Sequence, residues 1–438
     1  MEQRVDGQAG RRPGCPRRRT APGGRRPSGP LALFLLNAIG YLIAAGVAGT
    51  WSAATGGWWA HWLALHLAFV GAISLMVLGV GQFFATAFLM TTPASARMVA
   101  AQLAAWNAGT LAVAVGVPQG VRALSDAGAG LLLVGLALFA VALRGLTRRS
   151  LQRSHWAVRW YLASAAFLGV GAVVGALMAA GTAVGGGSLL GAHVALNVGG
   201  WFGTAIVGTL HTFYPSLTHS TLRHPRLQAP TFAWWCGGVG LLALGYGTGL
   251  AVVVLGGWLA LVAAAALLTV NLAASRRAAS ELRLPARLIG AAQPLLLAGL
   301  ALGLAGAVAH GADAPVLGPQ RGALAELLLA GWLGMTVAGS VLHLLMVLAR
   351  VRTPGRPLPP PRPGRDVAIT AVAVAGVVAG AVAQIDGLEG LSGPSRAALL
   401  AACAVVALLS AAELGQLAAA WRRRRTTRAM RPAAGARP

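Results

Sequence analysis

Apolar residues run through this chain in long blocks broken by short polar or arginine-bearing stretches. Twelve blocks approach or exceed twenty residues: 31–50, 62–90, 98–118, 128–146, 157–182, 188–215, 230–247, 250–273, 285–310, 322–349, 366–384 and 396–420. Lipid offers the backbone no water to bond with, so a spanning block must satisfy its own N–H and C=O groups, and a helix of about twenty residues does this. The pattern predicts an all-α polytopic membrane protein with twelve transmembrane helices in one membrane domain, residues 31–420. The first block is long for a secretory signal and lacks a small-x-small cleavage site, so it counts as a span. The Arg/Pro/Gly-rich residues 1–30 and the basic tail 421–438 are predicted to be disordered, and the Arg/Pro segment 353–365 to link the tenth and eleventh helices.

Composition agrees: 56% of residues are hydrophobic and 10% charged. The formal net charge of +25 would suit a nucleic-acid binder if it formed a patch. Its carriers are all arginine, however, and lie between apolar blocks, so no nucleic-acid partner is expected. With the N-terminus in the cytoplasm, every arginine except Arg122, Arg321 and Arg396 falls on the cytoplasmic side, as the positive-inside rule requires. Both termini are therefore expected to be cytoplasmic, in the inner membrane of a bacterium with a GC-rich genome. Cys15, Cys236 and Cys403 form neither a disulfide framework nor a CxxC metal site.

One helix is written three times. His193-Val194-Ala195-Leu196-Asn197-Val198-Gly199-Gly200-Trp201 is matched by Ala64 to Gly71 and by Leu324 to Trp332. In each copy a second glycine follows eight residues on (Gly79, Gly208, Gly339), and then a polar residue: Gln82, His211 and His343. The copies fall on predicted helices two, six and ten, so the repeat unit is four helices and the architecture three four-helix arcs with pseudo-threefold symmetry. The small residues let neighbouring helices or a flat ring come close to the backbone.

Histidines sit on this repeat at two depths. His66 and His193 lie five or six residues into helices that start at the outer face, a level that suits a haem iron held between two imidazoles. His211 and His343 share a second level near the inner ends of helices six and ten, a second tier expected to be able to hold a haem or a metal ion. His193 and His211 are five turns apart on one helix face, roughly 27 Å at 1.5 Å per residue, and so cannot hold one iron. Glu326 takes the repeat position of His66, which puts an ionisable group at ligand depth to pair with Arg321, bind a metal or serve a proton.

Three arcs, a helix-two histidine near the outer face and the H-x-A-L-N-x-x-G-W run of helix six resemble subunit I of haem-copper oxidases. The nitric-oxide-reductase and C-type-oxidase branch and the NnrS-like membrane proteins are the nearest in pattern. The resemblance implies that His66 is an axial ligand of haem b and that His193 faces an active-site metal. It also departs from the family: Ala195 stands where related sequences often carry a second histidine, helix ten offers Glu326 and His343 in place of a ligand pair, and helix seven has no His-His dipeptide. It therefore implies no three-histidine copper site, and with that no terminal-oxidase chemistry.

The expected function is a haem-binding, alternatively copper-binding, membrane protein in electron transfer or in nitric-oxide and metal handling, served by a redox partner protein. A twelve-helix secondary transporter and a non-catalytic partner of a copper oxidase or nitrite reductase are the other classes open. His310 with Asp313, at the outer end of helix nine, makes a further metal entry position. His61 with Trp58, Trp59 and Trp62 reads as an interfacial belt, and His219 and His224 as loop residues. Glu413 has no assigned role. Asn37, Asn107, Asn197 and Asn271 are expected to hydrogen-bond between helices.

Overall fold

The computed structural model describes residues 28–352 and 362–384 apart from 153, 154, 184 and 280, with scattered positions between 404 and 419. Every element described is helical. The long helices are α1 (Ser28–Thr55), α2 (Trp58–Phe88), α3 (Ala96–Gly116), α4 (Arg122–Arg149), α5 (Trp156–Ala179), α6 (Leu189–Leu217), α7 (Gln228–Thr248), α8 (Ala251–Arg277), α9 (Leu284–His310), α10 (Arg321–Arg350) and α11 (Pro363–Val382). Ten of these, all but α7, are long and apolar enough to cross a membrane, which makes the chain a multi-pass α-helical membrane protein. α7 opens on Gln228, Pro230 and Thr231 and is rich in glycine, and so is less apolar. Exposed Leu36, Ile43 and Val47 on α1, and Val252 and Leu259 on α8, are the kind of surface that lipid covers. Most of the predicted twelfth helix, the tail 421–438, the N-terminal segment up to residue 27, most of the 353–365 linker, Cys15, Arg396, Cys403 and Glu413 lie outside the described residues, and the described positions between 404 and 419 are helical.

The eleven helices agree with the predicted blocks to within a few residues at each end. Helix starts follow local chemistry at two sites: Ser95 Oγ accepts from Met98 N–H and Ser188 Oγ from Gly191 N–H, each filling one of the donors a helix N-terminus leaves free. α9 is capped from a distance. Asp366, buried at the start of α11, accepts from Leu284 N–H at 3.0 Å and from Arg365 at 2.8 and 3.0 Å, which ties α11 to the first turn of α9.

Helix contacts recur with a period of four. α2 packs on α1, α3, α4 and α5; α6 packs on α5, α7, α8 and α9; α10 packs on α9 and α11. The motif glycines are where these contacts tighten. A methyl at Gly71 would stand 2.5 Å from Tyr41 and one at Gly79 2.5 Å from Phe34, both on α1. On α6, Gly200 receives Phe167 and Gly208 receives Trp160, both from α5; on α10, Gly331 and Gly339 receive Leu295 and Ile289 of α9. Each motif helix thus takes side chains from the preceding helix about two turns apart into two glycine notches, a knob-in-notch contact repeated three times.

The motif helices share a second feature. Each widens to π-helical hydrogen bonding over the segment around its first glycine: Leu67–Ile73, Ala195–Gly203 and Glu326–Gly334. A π-turn moves the backbone hydrogen bonds to i→i+5, as from Ser74 N–H to Phe69 O and from Thr204 N–H to Gly199 O, and side chains add further donors to the carbonyls of these segments. Ser74 Oγ donates to Phe69 O five residues back at 2.8 Å, and Thr204 Oγ1 to Gly199 O at 3.3 Å. From the next helix, Trp106 on α3 donates its indole N–H to Val70 O at 2.9 Å, and Trp235 on α7 does the same to Gly199 O at 3.1 Å. Those two tryptophans are 129 residues apart, the same spacing as Gly71 and Gly200.

Candidate functional site

The outer tier is built where α2 and α6 enter their π-helical segments. His66 is the last residue before the first widened segment, and its ring stacks on Trp62 one turn back with centroids 3.9 Å apart. Its Nδ1 lies 2.8 Å from Trp62 O. His193 lies two residues before the second widened segment, and its Nδ1 reaches across to Gly171 O of α5 at 3.0 Å. A carbonyl only accepts, so both rings carry their proton on Nδ1, which leaves each Nε2 as a bare lone pair. An imidazole fixed through Nδ1–H to a carbonyl with Nε2 free is the arrangement that orients metal-ligating histidines.

Glycines on α5 make room for the second ring. A methyl at Gly175 would stand 3.0 Å from His193 Cε1, and one at Gly171 would meet Asn197 at 2.7 Å, so His193 and Asn197 lie against a bare stretch of helix. Glu326 opens the third π-helical segment and is half-buried, at the position the repeat assigns it. His310 is the exposed last residue of α9, with Gly311 turning the chain away after it, and no described contact joins it to the other candidates.

The inner tier is arranged differently. His211 is wholly buried and stacks on Trp160, the side chain that fills the Gly208 notch, with centroids 5.7 Å apart. Its Nδ1 donates to Val207 O at 2.8 Å, and its Nε2 is buried with no hydrogen-bond partner. His343 meets Phe213 at 5.4 Å, with rings 68° apart, and feels the charge of His219. No described contact joins His211 to His343. Among the described residues, no three His, Cys, Asp or Glu side chains gather as a metal-holding group, so a metal bound by His66 and His193 would take two protein ligands.

The asparagines correct an expectation. Asn37, Asn107 and Asn197 bond to the carbonyl four residues back on their own helices, at 2.9, 2.8 and 2.7 Å. In a hydrocarbon setting the nearest unsatisfied acceptor is the residue's own helix turn, so these amides saturate locally. Asn271 alone of the four reaches elsewhere, clamping both backbone groups of His224 at 3.0 and 3.1 Å. The buried polar link between helices in the first arc is instead Gln82 to Gln102, at 2.8 Å.

Between the two tiers α2, α6 and α10 line a partly open cavity of about 80 Å3. Its wall consists almost entirely of repeat-equivalent triplets. Stepping by 129 and then 131 residues, the spacing of Gly71, Gly200 and Gly331, takes Met76 to Ala205 and Thr336, and Val80 to Thr209 and Ser340. The same steps relate Phe84, Phe213 and Leu344, which form one end of the cavity. The three motif helices therefore meet on one axis, presenting equivalent faces to it. The repeat spacing was present in the glycines, and carrying it two turns further along the sequence would have picked out this wall. No family model and no curated protein matches the chain.

Proposed function

We propose that the chain is a twelve-helix protein of a bacterial cytoplasmic membrane, built as three four-helix arcs with both termini in the cytoplasm, that binds haem b or, alternatively, copper through His66 and His193. One observation carries this reading: two membrane-embedded histidines, each just before a π-helical segment on α2 or α6, both spend Nδ1–H on a backbone carbonyl, which leaves Nε2 free to bind. A bare imidazole nitrogen at membrane depth costs free energy unless something binds it. Imidazole suits iron and copper alike, and both metals exchange single electrons. The common axis of α2, α6 and α10 supports the three-arc architecture and weighs against a transporter built from two pseudo-symmetric halves.

What the protein's own groups do is orient and shield. Trp62 stacks on one imidazole, the Gly171–Gly175 stretch of α5 receives the other, and the two carbonyls set both tautomers. Ala195 in place of a second histidine, and α7 without histidine, keep the reading at electron transfer or nitric-oxide and metal handling, with a redox protein as partner.

A visible spectrum of the purified full-length chain, with and without dithionite, together with iron and copper analysis, tests it. The expected result is a low-spin b-type haem band, or stoichiometric copper, that falls at least tenfold in both His66→Ala and His193→Ala and persists in His61→Ala. A wild-type protein free of both metals, or single substitutions that leave the metal in place, would overturn it.

A further inference from the structure

The axial cavity lies two turns inward from the paired histidines and makes no use of them. We infer that it is a binding site for one small uncharged apolar molecule of the size of a diatomic gas, held on the axis between α2, α6 and α10. Its size favours a small occupant. An engineered leucine-lined cavity takes benzene or xenon at roughly 150 Å3, whereas the axial cavity, which is partly open, has about 80 Å3.

Its wall disfavours water. A buried water needs two to four polar partners, and most of this lining is Ile73, Met76, Val77, Val80, Ile206 and their apolar neighbours. Two of its hydroxyls are already engaged. Thr209 donates to Ala205 O at 2.7 Å, so the 2.6 Å contact with Tyr161 is donated by the tyrosine. Ser340 and Thr336 remain, and Thr336 Oγ1 is buried without a partner. This is a dry site with a slight polar edge on α10, facing the fully apolar α2.

The volume has a sequence origin. At the levels of residues 76, 80 and 81, the three helices place Met, Ala and Thr, then Val, Thr and Ser, then Gly, Leu and Val around the axis, and none of these is aromatic. One turn further, Phe84 and Phe213 meet with centroids 4.9 Å apart and close that end. The His343 end is thereby sealed by aromatic rings, so an occupant reaches the cavity from the hydrocarbon or from the outer-tier side, where apolar gases concentrate.

The test is a structure of the full-length chain under xenon pressure, with xenon located by anomalous scattering. The expected result is a xenon site within contact of Met76, Ala205 and Thr336, with occupancy lost in Ala205→Leu and kept in Thr336→Val. Should Ala205→Leu fail to fold, Val341→Phe fills the same space from α10. An empty axis under xenon in the wild-type protein would overturn the inference, as would tubular acyl-chain density or ordered water in its place. The outcome is independent of whether His66 and His193 hold a metal.

Discussion

Trp201 on α6 and Trp332 on α10 occupy the same position of the repeat, 131 residues apart, yet their surroundings differ in one chemical detail. Both indole rings are buried. Trp201 donates its N–H to Ser74 Oγ of α2 at 2.9 Å, and Ser74 Oγ in turn donates to Phe69 O. Trp332 packs beside Trp235 of α7, centroids 5.9 Å apart, and its N–H has no partner. The repeat position of Ser74 is held in the second copy by Gly203, where a methyl would stand 2.7 Å from Trp235. The bare backbone that admits Trp235 thus takes away the hydroxyl that would have received Trp332. Motif helices that share their π-turns and glycine notches differ at one interface, which gives up a hydrogen bond for an aromatic contact.

The comparison breaks most visibly at the notches. Gly200 and Gly208 face the roots of Phe167 and Trp160, which cannot swing away, whereas Gly331 faces the tips of Leu295 and Val377. Gly200→Val and Gly208→Val are expected to leave no folded protein on size-exclusion chromatography. Gly331→Ala should fold with a loss of about 1–3 kcal/mol, the usual range for a core forced to accept extra carbon. Gly40→Ala, with nothing within 4 Å, should unfold at the wild-type temperature. If Gly208→Val folds normally, the notch contact is not what registers the arcs.

A smaller effect is expected at the hydroxyl itself. Ser74→Ala removes the acceptor of Trp201 and leaves its buried indole N–H unpaired, while Phe69 O keeps the backbone N–H of residue 74. An unsatisfied buried group costs about 1–3 kcal/mol, and detergent-solubilised Ser74→Ala should show that loss in its thermal unfolding midpoint. Ser74→Thr, which restores the hydroxyl, should recover most of it. An unchanged midpoint in Ser74→Ala would mean that the relay contributes nothing to holding α2 against α6.

Much of this was legible in the chain. Block boundaries located eleven helices because a membrane span leaves a long, uniform signature, and the spacing of Gly71, Gly200 and Gly331 marked α2, α6 and α10 as copies. What stayed hidden depends on three-dimensional neighbours. The π-turns bear no local signal, since Leu67–Ile73 reads as ordinary apolar helix, and the side chains of Ser74, Trp106 and Trp235 that donate to their carbonyls come into place only in the folded bundle. The asparagines misled because an amide in lipid bonds its own helix as readily as a neighbour. Nothing in the composition foretold that His211 would be covered by Trp160, a residue some fifty positions away in sequence.

The finest test compares the two tryptophans directly. Trp201→Phe and Trp332→Phe each remove the same ring volume from a buried site, so the packing loss is similar for both. They differ in hydrogen bonding. Trp201→Phe strands Ser74 without its indole donor, and a net intramolecular hydrogen bond is worth about 0.5–1.5 kcal/mol. Trp332→Phe deletes an N–H that already lacks a partner, which relieves a desolvated polar group and offsets part of the lost contact. Thermal unfolding in one detergent should therefore rank Trp201→Phe as the more damaging change by about 1–2 kcal/mol, the bond lost on one side plus a share of the penalty relieved on the other. In a Ser74→Ala background the gap should shrink, because Trp201 then has no acceptor to lose. A gap that is absent in the wild-type background, or that survives Ser74→Ala undiminished, would show that the two interfaces differ in packing alone and that the missing hydroxyl at Gly203 has no energetic consequence.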